Sequence, residues 1–173
     1  GVKEPRTGLS MGESTEIIAK DYDISRHDQD ALAIKSHTNA SRAYDEGFYE
    51  DLVIPFEGIE KDNIIRHDSS IDKLASLNTV FDKGVNATLT PGNSTSLTDG
   101  SAAVLLASDD WANKNNLDIE SYITSFEIAA VDYIDNEGLL MAPAYAVSEM
   151  LKKQNLNLQD FDFYEIHEAF AAQ

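Results

Sequence analysis

The residues best suited to chemistry lie at the end of the chain, in the run His167-Glu168-Ala169-Phe170-Ala171-Ala172-Gln173. Imidazole is the usual group for handling protons and polarising carbonyls near neutral pH. Residues 162–166 read as a short strand leading into His167, and α/β folds place ligands just beyond the carboxyl ends of their strands. The run is not a zinc-protease signature, because His-Glu-x-x-His would need histidine where Ala171 stands. On residue types alone, one His beside one Glu also serves as a surface or structural pair. The second candidate is Thr90-Pro91-Gly92-Asn93-Ser94-Thr95, followed by Leu97-Thr98-Asp99-Gly100. A loop with glycine, hydroxyl and amide groups can bring backbone donors close to a ligand. It lacks the lysine and spacing of a P-loop, and an ordinary connection is the competing reading. The third is Ile65-Arg66-His67 with Lys61 and Lys73 nearby. A planar guanidinium suits phosphate, while surface ion pairs with Asp62, Asp68 or Asp72 would account for it equally simply.

Composition narrows what these groups can do. The 173 residues carry a formal charge of -18, are 42% hydrophobic and contain no cysteine. That length and apolar content suit an ordinary packed domain and exceed what a disordered chain carries. Zero cysteine removes disulfides, thiolate metal sites and a thiol nucleophile from these residues. The acidic balance disfavours nucleic acid and anionic membranes, so an anionic ligand needs a local basic patch. No stretch approaches the apolar length of a membrane span, and residues 1–9 lack a secretory pattern. The triplets starting at Asn39, Asn86 and Asn93 are therefore taken as chance matches to a glycosylation site.

The elements that must hold these groups follow from caps and periodicity. Ser25 opens a long helix over 26–46, with Asp28 and Asp30 in its first turn and Gly47 as its stop. Ala33, Ala40 and Tyr44 recur on its less polar side. A shorter helix covers 13–20 and another covers 71–77. Ser108 caps a helix to about 115, and Pro143 sits in the first turn of one reaching Lys153. Residues 158–161 read as a turn. Strands are expected over 52–56, with Pro55 favouring an edge, and over 86–90, 102–107, 121–133 and 162–166. The first 80 residues thus look like a helical cap. The rest alternates strand and helix, as in a parallel or mixed α/β sheet covered by helices.

Taken in order, these segments resemble the thiolase family. Met11-Gly12-Glu13-Ser14 comes first, then Ser25-Arg26-His27-Asp28-Gln29-Asp30, Ile65-Arg66-His67, Thr90 to Thr95, Leu97 to Ala103, and His167 to Gln173. The resemblance covers nearly the whole chain. It implies a partial thiolase-like αβαβα layered fold, with a mostly helical loop domain inserted in the first half. Residues 1–85 would be that loop domain, 86–117 the end of the N-terminal half and 118–173 the start of the C-terminal half. The implied activity is acyl transfer between coenzyme A and a 3-ketoacyl-CoA, in fatty-acid β-oxidation or acetoacetyl-CoA formation. The competing reading is a non-catalytic acyl-CoA- or lipid-binding or oligomerisation domain.

The resemblance also assigns roles. Family members use a nucleophilic cysteine, a histidine that activates it and a second cysteine, all outside the matched motifs, so the chain is expected to be an internal stretch that is inactive alone. His167 stands where many thiolases have Asn, at an oxyanion hole; His there resembles fatty-acid-oxidation thiolases and the β-subunit of the trifunctional complex. Arg66 matches a position near the adenine and phosphate end of coenzyme A. Pro91 and Thr95 match loop positions along the pantetheine arm, and Met11 and Phe170 match the acyl tunnel. The family usually has Ala at position 91 and often Ser at 95; Pro91 keeps its carbonyl but lacks an N–H. Coenzyme A would be a substrate, with no resident metal or cofactor. Implied partners are acyl-CoA, a second copy in a homodimer or homotetramer, and a hydratase-dehydrogenase subunit, in the bacterial cytoplasm or the mitochondrion and not in secretions.

Overall fold

The computed structural model describes residues 3–134 and 138–173. They divide into two compact units, which are taken separately. The first comprises residues 1–96, 131–141 and 165–173. It carries α1 (Met11–Asp21), α2 (Arg26–Asp45) and α3 (Ile71–Ala75).

Helix α1 starts with a reciprocal capping box. Ser10 Oγ accepts from the Glu13 N–H at 3.2 Å, and the Ser10 N–H donates to Glu13 Oε2 at 2.7 Å. Its inner face places Ala19 in a small core with Leu89, Ala172, Ile24, Phe81 and Phe170, and Ile18 is buried as well. Phe81 and Phe170 meet edge to face, with centroids 5.8 Å apart. The Phe81 ring lies so close to Gly12 that a side chain there would overlap it. The same face buries Glu16. Its carboxylate accepts from the Thr88 N–H at 2.7 Å, the Thr88 hydroxyl at 2.9 Å and the Leu89 N–H at 2.9 Å. An acidic residue is therefore satisfied in the interior by backbone donors.

Ser25 caps α2 through the Asp28 N–H. The helix ends in a Schellman turn. Gly47 takes φ +78°, its N–H donates to the Tyr44 carbonyl and the Phe48 N–H donates to the Ala43 carbonyl. Short α3 is capped by Ser70 and is held to α2 by the Arg26 guanidinium, which donates to the Leu74 carbonyl.

The second unit comprises residues 97–130 and 142–164. It contains α4 (Asp109–Lys114), capped by Ser108, and α5 (Ala142–Gln154), which is followed by a 3-10 turn at Leu158–Asp160. Lys153 pairs with Glu127.

The helices thus form where caps and periodicity place them, apart from a residue or two at their ends. The strands do not form. Among the described residues the pairings are isolated bridges, Lys3 with Ser10, Phe56 with Ile59 and Ser94 with Phe170. Residues 86–90 miss a ladder because their polar groups are bonded otherwise. Glu16 takes the Thr88 and Leu89 N–H groups, the Asn93 amide donates to the Thr88 carbonyl and Val80 donates to the Leu89 carbonyl. The expected buried strand 102–107 is exposed instead, with Val104 83% and Leu105 72% accessible. A ladder needs a neighbouring strand, and the described residues give none to 102–107, 121–133 or 162–166.

Candidate functional site

The site is built on α2. Asp30, His37, Ser41 and Tyr44 recur at helical spacing along one side of that helix, and each holds a different segment. Asp30 is buried, receives the Arg26 Nε at 2.8 Å, and accepts from Asn93 Nδ2 at 3.0 Å. His37 Nδ1 accepts from the Arg66 N–H at 3.3 Å. The Ser41 hydroxyl and His67 Nδ1 share a hydrogen bond of 2.5 Å. The Tyr44 hydroxyl accepts from the Asp62 N–H at 3.0 Å.

Asn93 shapes the loop at 90–95 from within. Its Oδ1 accepts from the Thr90 N–H at 2.8 Å while its amide reaches Asp30 and the Thr88 carbonyl. Thr90 Oγ1 accepts from the Gly92 N–H at 3.2 Å. A Cβ on Gly92 would stand 2.7 Å from Leu77 Cδ1 and 3.1 Å from Leu74 Cγ, so a side chain there would push these leucines aside. The loop then binds the end of the chain. The Thr95 N–H donates to the Ala169 carbonyl at 2.8 Å, and the Ala171 N–H donates to the Asn93 carbonyl at 3.0 Å. From the far side, the Ser36 hydroxyl donates to Glu168 Oε2 at 2.5 Å.

These segments enclose a groove of about 630 Å³, in the range of small-molecule sites. Leu32, Ala33, Ser36, His37 and Ala40 supply the α2 wall; Arg66, Asp68 and Lys73 supply another; residues 91–96 and His167, Glu168 and Ala171 complete the lining. Among the residues singled out in the sequence, Arg66, Pro91, Thr95 and His167 share this lining. Met11 and Phe170 do not line it. Met11 begins α1 and Phe170 packs in the core on Phe81. Lys73, rather than Arg66, pairs with Asp68, at 2.6 Å. That hydrogen bond and charge hold the Asp68 carboxyl below its ordinary range. The surface-pair reading thus holds for Lys73, while Arg66 makes no ion pair among the described residues and acts on Asp68 only as a more distant charge. Ser94 also lines the groove, and its hydroxyl is buried without a hydrogen-bond partner among the described residues.

A second groove of about 640 Å³ lies among Tyr44, Tyr49, Val53, Pro55 and Ile59, with Lys61 as its cation. No group of His, Asp and Glu among the described residues is arranged to ligate a metal ion. Glu168 stands beside His167 in the terminal run but was given no role of its own, and Ser36, His37 and Asp30 were not singled out as site residues in the sequence. For these three the available signal was their recurrence along α2 beside Ala33 and Ala40, which do line the groove.

Comparison with known proteins places these features in a family context. The family description "Thiolase, N-terminal domain" matches residues 1–110, and "Thiolase, C-terminal domain" matches residues 117–173. A 3-ketoacyl-CoA thiolase of Shewanella loihica is 44% identical over 99% of this chain and 40% of its own length. One from Yersinia enterocolitica is 41% identical with the same coverage. The chain therefore spans about 40% of the length of these curated relatives. Among solved structures, the Bacillus anthracis acetyl-CoA acetyltransferase superposes with TM-score 0.88 at 33% identity, over 98% of this chain and 44% of that one. A thiolase from Ascaris suum in complex with coenzyme A gives TM-score 0.88 at 30% identity, over 99% of this chain and 44% of its own.

Proposed function

This chain belongs to the thiolase family and follows its α/β fold, and from that premise we propose that the whole protein is an acyl-CoA C-acyltransferase. It would move acyl groups between coenzyme A and 3-ketoacyl-CoA. One observation carries the assignment to particular residues: Arg66, Pro91, Thr95 and His167 line a single groove whose guanidinium is unpaired among the described residues. That guanidinium suits the phosphates of coenzyme A. The 91–95 loop would lie along its pantetheine arm. His167 would donate to the thioester oxygen as negative charge develops there. Met11 at the start of α1 and Phe170 packed on Phe81, both outside this groove, are proposed to line the acyl tunnel.

Residues 1–85 would form the loop domain, 86–117 close the N-terminal half and 118–173 open the C-terminal half. His167 in place of the more usual Asn favours β-oxidation in a bacterial cytoplasm or a mitochondrion. Assembly as a homodimer or homotetramer, with a hydratase-dehydrogenase partner, is part of the same reading. Among the described residues, no helix is long and apolar enough to cross a membrane.

Steady-state kinetics of the whole protein test the reading. His167→Ala should lower kcat by about 100-fold, the usual cost of removing an oxyanion donor. Arg66→Ala should raise the KM for coenzyme A, with the larger loss at low salt. Unchanged turnover in His167→Ala would remove the oxyanion role. Coenzyme A binding by the whole protein without any turnover would favour the non-catalytic reading instead.

A further inference from the structure

His167 has no side-chain hydrogen bond to another described residue. Its orientation toward the groove must therefore come from the backbone that carries it. That backbone is exposed on the N-terminal side, at residues 162–166, and among the described residues it is gripped only beyond His167. The Ala169 carbonyl and the Ala171 N–H are held by the 93–95 loop. The remaining residue, Glu168, adjoins His167 directly. The side chain that holds it is Ser36, whose hydroxyl donates to Glu168 Oε2 at 2.5 Å.

Ser36 is well suited to this task. It stands in the middle of the 20-residue α2, the element whose other side chains fix the Arg66, His67 and 90–95 segments. A hydroxyl-to-carboxylate hydrogen bond is short and strong compared with a neutral one. Serine also has a short side chain with few rotamers, so it transmits the helix position to Glu168 with little slack.

We propose that Ser36 and Glu168 form a positioning pair: α2 holds the Glu168 carboxylate and thereby sets the direction in which His167 faces the groove. The inference rests on the oxyanion role given to His167 above. Neither Ser36 nor Glu168 needs to touch the reacting atoms. Displacing a catalytic group by about 1 Å can cost up to 100-fold in rate, so loss of this link should be felt in turnover.

A double-mutant cycle in the whole protein tests it. Ser36→Ala should lower kcat about 10-fold, within that range, and leave the KM for coenzyme A unchanged. Ser36→Thr, which keeps the hydroxyl, should restore most of the loss. In a His167→Ala background, Ser36→Ala should have no further effect. Glu168→Ala reads the same link from its other end and should behave alike, which keeps the test open if Ser36→Ala does not fold. Full turnover in both single variants would overturn the proposal. So would an equal loss with and without His167, because a merely structural role acts in either background. If His167→Ala is itself silent, the oxyanion assignment fails. If it is costly while Ser36→Ala and Glu168→Ala are silent, only the positioning role fails.

Discussion

Arg66 and Lys73 carry the same charge on the same groove, yet their surroundings separate their roles. Lys73 is committed to Asp68 by its ammonium bonds to both the carboxylate and the backbone carbonyl, at 2.6 and 2.8 Å. Among the described residues Arg66 is hydrogen-bonded through its backbone N–H, to His37, and its charge reaches Asp68 only at longer range. Lys73→Ala should therefore change coenzyme A affinity less than Arg66→Ala, as isothermal titration of the whole protein would show. Glu16 poses the opposite case, a charge with a purely structural task. Glu16→Ala would strip partners from the Thr88 and Leu89 N–H groups in the interior. The expected cost is about 3 kcal/mol of stability, from buried donors left unmet, read as a lower urea midpoint. The sequence singled out His167 and Arg66 as candidates, because their chemistry is rare in this chain. It gave no role to Glu16 or Ser36, and it named Asn93 only as a member of the 90–95 loop. An acid, a serine and an asparagine are ordinary residue types, and only the folded neighbours reveal what each one holds.

The helices were legible for local reasons. Ser25 and Ser108 cap α2 and α4 as their types suggest, and Gly47 ends α2. Three further helix ends use the same left-handed stop without glycine: Asp23 at φ 52°, Asn116 at 52° and Asn155 at 54°. In each, the next N–H reaches back into the helix, Ile24 to Ala19, Leu117 to Ala112 and Leu156 to Leu151. Asp and Asn tolerate this conformation but favour it less than glycine does. Asn155→Gly should therefore stabilise the protein by about 0.5 kcal/mol, once glycine's greater unfolded-state freedom offsets part of the relief. A small rise in Tm checks it, and a fall would show that the Asn155 side chain matters in some other way. The contact face of α2 was harder to read. It is a stripe of polar anchors, along which apolar periodicity marks only Ala33, Ala40 and Tyr44. The strands were illegible as paired structure because a ladder depends on a second segment, and no local pattern reports whether that segment is present.

Over the molecule as a whole, a charge of -18 makes the acidic groups decisive for pH dependence. Glu4 is held down to about 2 by the Arg6 N–H, with help from the Thr7 N–H. Glu13 is lowered by the Ser10 N–H, Asp82 by Lys20, and Glu127 by Lys153. A carboxylate with a depressed folded-state pKa lends stability above its unfolded value and loses it as pH falls through the folded one. These groups should thus contribute fully above the usual carboxylate range and fail progressively from about 4.5 down to about 2. Lys20 and Lys153 are raised by Asp82 and Glu127, so their share persists below 10.5 and disappears above it. A plot of Tm against pH should show both edges, and a flat acidic limb would refute the first. The polar stripe on α2 has a further consequence, in the time domain. Because Asp30 anchors Asn93, and the 93–95 loop anchors Ala169 and Ala171, the groove walls share one support. Their protection from deuterium should rise and fall together: the amides of Thr95 and Ala171 would exchange as one opening unit with those of mid-α2.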